Sequence, residues 1–120
     1  MTLIQRLEQC TEGSRELADE VLLACGWKVT RIPLTGGCFE THWYDPSGTV
    51  YVQNLNPLAS FDAAMQLVPE GYTYLIDARH PVGRIMIDLF PEEGLPVEGK
   101  HMNVAIAICI AALRARGVTQ

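Results

Sequence analysis

The chain is 120 residues long, 48% apolar and 19% charged, a size and composition that fit one folded domain and exclude a disordered chain. Its formal charge is −5, with acidic residues dispersed through the sequence, and that excludes broad duplex nucleic-acid binding, which needs a net basic face. Residues 1–10 mix Arg6 and Glu8 with leucines and do not read as a signal peptide, and no apolar run approaches the ~20 residues that cross a bilayer.

Thr2 followed by Gln5 is a capping-box pattern, and Leu3, Ile4, Leu7 and Cys10 then share one helical face, so a short first helix is expected. Gly13 breaks it. Ser14 caps a second helix, with Glu16 in its first turn, an inner stripe of Leu17, Ala18, Val21, Leu22 and Cys25, and Gly26 at its end. Lys28 to Ile32 reads as a short strand closed by Pro33. Phe39 to Tyr44 and Thr49 to Val52 are aromatic and β-branched around Asp45-Pro46-Ser47-Gly48, which predicts a first hairpin.

Ser60 caps a third helix whose inner face is Phe61, Ala64, Met65 and Val68, stopped by Pro69 and Gly71. Tyr72 to Ala78 and Arg84 to Phe90 then predict a second hairpin, with Ile85, Ile87 and Leu89 turned to the core. Pro91 to Gly99, acidic and rich in Pro and Gly, is expected to be a surface loop. The last helix, between His101 and Arg116, is apolar on every side from Val104 to Leu113, so it must be covered on more than one side, by its own domain or by a second subunit. Ala107, Ala111 and Ala115 form a small-residue stripe on it. The order helix, helix, hairpin, helix, hairpin, helix predicts a single α+β domain over 1–120: a four-stranded antiparallel sheet of two hairpins with helices on both faces, an α-β-α sandwich.

Four cysteines (Cys10, Cys25, Cys38, Cys109) without a Cys-x-x-Cys pair, and three scattered histidines, predict reduced thiols in a cytosol, no structural zinc and no cofactor. Arg79, His80 and Arg84, at the tip of the second hairpin, could hold a phosphate or another anion, with Lys28 and Arg31 added if a dimer brings them near. Exposed charge at a turn is the plainer account of the same residues. Trp27, Trp43, Tyr44 and Tyr51 lie on or beside the first hairpin and offer platforms for a nucleobase; the competing role is core or cross-strand packing. Adjacent on one strand, Trp43 and Tyr44 should face opposite ways. Cys38 with His42, and Asp77 with Asp88, lack the third group and the positioning motif that catalysis needs, so no catalytic residue is assigned.

Gly26-Trp27, the Asp-Pro-Ser-Gly turn, the segments Ser60 to Ala64 and Leu67 to Tyr72, and the ending Ile108 to Arg116 together resemble the phage ABA sandwich domain. That family comprises small bacteriophage and prophage accessory proteins, NinX-like in outline. The resemblance spans nearly the whole chain and departs at Leu58, in a stretch where an aromatic residue is common. It implies a layered α-β-α fold and a phage or prophage origin, with no activity or catalytic residue to carry over. In that context the chain is expected to be a non-enzymatic homo-oligomer in the host bacterial cytoplasm, associating through its last helix or a sheet edge. There it would sequester a small anionic, nucleotide-like immune signal. The rivals are a module that blocks a host defence or replication protein and a nucleotide-degrading enzyme.

Overall fold

A computed structural model of the chain describes residues 1–51, 55–78 and 84–118. Within them the elements run α1 (Leu3–Gln9), α2 (Arg15–Ala24), β1 (Lys28–Pro33), β2 (Phe39–Tyr44), β3 (Val50–Tyr51), α3 (Phe61–Met65), β4 (Thr73–Asp77), β5 (Ile85–Phe90), β6 (Val97–His101) and α4 (Val104–Ala115). The class is α+β. The starts of the helices follow the sequence signals: Thr2 and Gln5 close a capping box, and Ser14 and Ser60 each accept a hydrogen bond from the backbone N–H three residues on.

The expected four-stranded sheet does not form. The strands make two separate antiparallel sheets, ordered β1-β2-β3 and β4-β5-β6. Each hairpin recruits its own third strand. Lys28–Pro33 pairs along its full length with β2, from Lys28 opposite Tyr44 to Pro33 opposite Phe39. On the other side, β6 pairs with β5, from Ile85 opposite His101 to Leu89 opposite Val97, in a stretch expected to be mostly loop. The inward positions of β6 are Val97, Gly99 and His101, and a glycine and a histidine at core positions erase the apolar alternation by which a strand is recognised. α3 is also shorter than expected. It ends at Met65, and Phe61, assigned to its inner face, is exposed.

The centre of the molecule is α4, whose residues Ala105 to Leu113 are all buried. Its cover comes from β5 and β6 on one side and from α1, α2 and α3 on others. A helix apolar all round thus has neighbours all round within one chain. The first sheet contributes less. Trp43 and Trp27 are buried, and Trp27 lies against Tyr51 with ring centroids 5.1 Å apart. Every residue of β1, however, is exposed, as are residues 33–39. The outline is accordingly elongated, 51 × 31 × 25 Å.

Leu58 is a core residue. It is 1% exposed and sits against Gly13, where an added Cβ would strike its side chain. Among the described residues no helix is long and apolar enough to cross a membrane.

Candidate functional site

The cationic end of the second sheet forms a groove of about 210 Å³ lined by Glu8, Gln9, Cys10, Thr11, Arg84, Lys100, His101 and Met102. Its walls come from three parts of the chain: the end of α1, the entry to β5 and the end of β6. The β5–β6 register, Ile85 opposite His101 and Met86 opposite Lys100, is what carries Arg84 to Lys100 across the sheet. Residues two apart on a strand share a face, so both cations belong to the face turned away from α4. Arg84 is exposed and makes no hydrogen bond or ion pair with the described residues. Glu98 is the carboxylate paired with Lys100, its Oε1 3.8 Å from Nζ.

The floor of the groove is fixed by His101, 6% exposed. Its Nδ1 accepts from the Asn103 backbone N–H at 2.9 Å, so Nε2 carries the hydrogen and donates to the Cys10 carbonyl at 2.6 Å. The acid on the rim, Glu8, is taken up by Arg114 at 3.3 Å. Cys10 donates its thiol hydrogen to the Leu7 carbonyl, and partial burial pushes that thiol above its ordinary range. Arg84, Lys100 and Thr11 thus line one small recess, with Glu8 on its rim. That set suits a phosphate or carboxylate.

A larger cleft, about 410 Å³, lies at the base of the first hairpin and is bounded by Trp27, Asp45, Tyr51, Val68, Glu70 and Arg116, among others. It is less suited to an anion. The Asp45 carboxylate is spent on its own turn, accepting from the Ser47 N–H and hydroxyl and the Thr49 N–H. The Arg116 guanidinium holds the Leu67 carbonyl at 3.0 and 3.2 Å. Glu70 leaves a further negative charge on the rim. The Trp27 indole N–H is covered and has no acceptor among the described residues.

The residues expected to make one site fall into separate places. Arg84 is in the cationic groove; Arg79 and His80 lie outside the described residues. Trp27 borders the other cleft. Trp43 is buried at 4%, opposite Val29 and Tyr51, and serves packing. Tyr44 is half-buried on the opposite face, beside Lys28 and Val50, as strand alternation requires. Arg31 is exposed on β1, opposite Thr41. None of these aromatics borders the groove that holds Arg84, so an anion site with a stacked base is not assembled from them within one chain.

Lys100 and His101 carry no local signal for this groove, because their approach to Arg84 depends on β6, whose composition hides the strand. The catalytic alternatives gain little. His42 Nε2 lies 3.2 Å from Glu40 Oε1, off hydrogen-bond geometry, and Cys38 is exposed outside the groove. Asp77 and Asp88 stand opposite Met86 and Leu75 respectively, as diagonal neighbours rather than a facing pair. Among the described residues no three His, Cys, Asp or Glu side chains gather as metal ligands. No family model, curated protein or solved structure matches the chain.

Proposed function

We propose that this is a non-catalytic binding protein that captures a small, phosphate-bearing molecule of nucleotide type, holding its anionic end between Arg84 and Lys100. One observation carries the reading. In a chain of net charge −5, an arginine without a counter-ion among the described residues shares a recess with a lysine whose carboxylate neighbour is 3.8 Å away. A guanidinium without a counter-ion is available to an anion, and its planar fork matches a phosphoryl group. A recess of about 210 Å³ is smaller than the roughly 300 to 1,000 Å³ of sites that enclose a whole ligand, so it takes the phosphate and leaves the remainder outside. The phage-family resemblance supplies the context: sequestration of an immune signal in the host bacterial cytoplasm by a homo-oligomer.

The test is a thermal-shift series with inorganic phosphate, adenosine monophosphate and cyclic dinucleotides at low salt. Stabilisation by a nucleotide, its recovery unchanged after heating, and loss of the shift in an Arg84→Glu, Lys100→Glu double variant are expected. A shift that survives in the double variant removes the groove as the site, and recovery of a cleaved nucleotide makes the chain an enzyme.

A second reading, a module that covers a host protein, draws on the bare end of the first sheet, where Ile32, Leu34 and Phe39 are 39%, 47% and 64% exposed. Uncovered apolar clusters of this kind mark interaction surfaces. Loss of partner capture from a host lysate by Leu34→Asp, Phe39→Asp, with phosphate binding intact, would favour it.

A further inference from the structure

The edge of the second sheet carries an apolar strip that is left exposed among the described residues. α4 packs on β5 and β6. On the same face of the sheet, Tyr74 and Ile76 of β4 are left 51% and 37% exposed, and Leu75, on the opposite face, is 54% exposed. β4 is an outer strand, so the side turned away from β5 pairs with no other strand among the described residues. Natural sheets blunt such edges with charged residues, proline or a bulge, and Thr73-Tyr74-Leu75-Ile76-Asp77 carries its one charge at the end, has no proline and pairs with β5 without a bulge.

We propose that β4 pairs antiparallel with β4 of a second copy of this chain, Leu75 lying on the two-fold axis, to give a continuous six-stranded sheet. The strand is complementary to itself in that register. Leu75 faces Leu75 of the second copy on one side of the sheet. On the other, Tyr74 faces Ile76 and Ile76 faces Tyr74, an aromatic-to-β-branched pairing that stabilises antiparallel ladders. Charge selects the same arrangement. Two copies of a chain carrying −5 each repel, and association needs a strip where acids do not meet; here each Asp77 lies opposite a threonine, at the far end from the other Asp77. A register centred on Asp77 would set carboxylate against carboxylate.

The size of the strip sets its strength. Three side chains about half exposed offer well below the ~800 Å² per partner of a standard stable interface, so the pairing is reversible and depends on concentration. It is independent of the anion reading, because neither Arg84 nor Lys100 belongs to β4.

Sedimentation of the wild-type chain across a concentration series should show a mass rising from 13.3 kDa towards twice that value. Leu75→Lys alone and Leu75→Glu alone should stay monomeric, since each opposes a like charge to itself, and an equimolar mixture of the two should recover the dimer. Circular dichroism identical to wild type establishes that each variant is folded; Leu75→Thr, which removes the apolar contact without adding charge, should weaken association and serves if either charged variant unfolds. A wild-type mass that stays at one chain up to about 1 mM overturns the proposal. So does a charged variant that still dimerises, or a mixture that fails to associate, because only a residue facing itself gives that pattern.

Discussion

Gly99 of β6 lies so close to Ala107 of α4 that a Cβ on the glycine would collide with the Ala107 carbonyl oxygen and come within 2.7 Å of the Ala111 backbone nitrogen. The contact is backbone against backbone, and neither partner has a flexible end that can give way. Ala107 and Ala111 make it possible from the helix side, as the small stripe that lets the strand sink. Gly99→Ala is therefore expected to cost about 3 kcal/mol or more, at or beyond the upper end of ordinary overpacking, and to appear as a lowered urea midpoint. Leu95→Ala, at a position 87% exposed, should stay within about 0.5 kcal/mol of wild type.

The imidazole of His101 ties the end of α1 to the start of α4. It donates to the Cys10 carbonyl and holds the N–H of Asn103, whose side chain in turn caps the helix at Ala105 and Ile106. His101→Leu keeps most of the volume but strands both backbone groups, at about 1 to 3 kcal/mol each before any rescue by water. Equilibrium unfolding measures the loss. Amide exchange should quicken at Ala105 and Ile106 before it does at the far end of α4; uniform protection along the helix would contradict this anchoring role.

Signals in the sequence are legible where the chemistry is local. Thr2, Ser14 and Ser60 each accept from a backbone N–H at the first turn, and the unbroken apolar run from Val104 to Leu113 did mark a helix covered on all sides. What escaped was pairing. Val97-Glu98-Gly99-Lys100-His101 has one large apolar residue, because its core-facing positions are filled by a glycine that needs no side chain and a histidine that needs its hydrogen bonds. Without that strand, Lys100 had no reason to be placed beside Arg84. Of the two roles open to the aromatics, cross-strand packing is the one seen at Trp43 and Tyr51, which are paired across strands, and such pairs stabilise a ladder without any ligand.

The four thiols should divide by reactivity. Burial pushes the Cys25 thiol up to about 11, partly offset by Arg116, and burial pushes Cys109 up further still, while its Sγ donates to the Pro57 carbonyl at 3.3 Å. The thiolate is the reacting form, so both should resist a disulfide reagent at pH 8. Cys38, exposed, is expected to react first and half-buried Cys10 more slowly, with the remaining two appearing only in denaturant. Mass spectrometry of the labelled native chain identifies the order, and early modification of Cys109 would mean that α4 opens readily.

The turn between β2 and β3 makes the chain sensitive to acid in a defined direction. The Ser47 hydroxyl, followed by the N–H groups of Thr49 and Ser47 and by the Tyr51 hydroxyl, holds the Asp45 carboxyl below the usual aspartate range. A carboxyl whose value is lowered by folding favours the folded state above its unfolded value, near pH 4, and that contribution disappears as pH falls through the lowered folded value. Glu20, lowered by its hydrogen bond and ion pair with Arg6, acts in the same sense, so the wild-type curve alone cannot separate the two. Asp45→Asn removes one titration and leaves the other. The variant should be less stable than wild type at pH 7, and the gap should close as pH falls below about 4, the unfolded value; a gap that stays constant as the solution is acidified would mean that the carboxylate's charge contributes nothing to the turn.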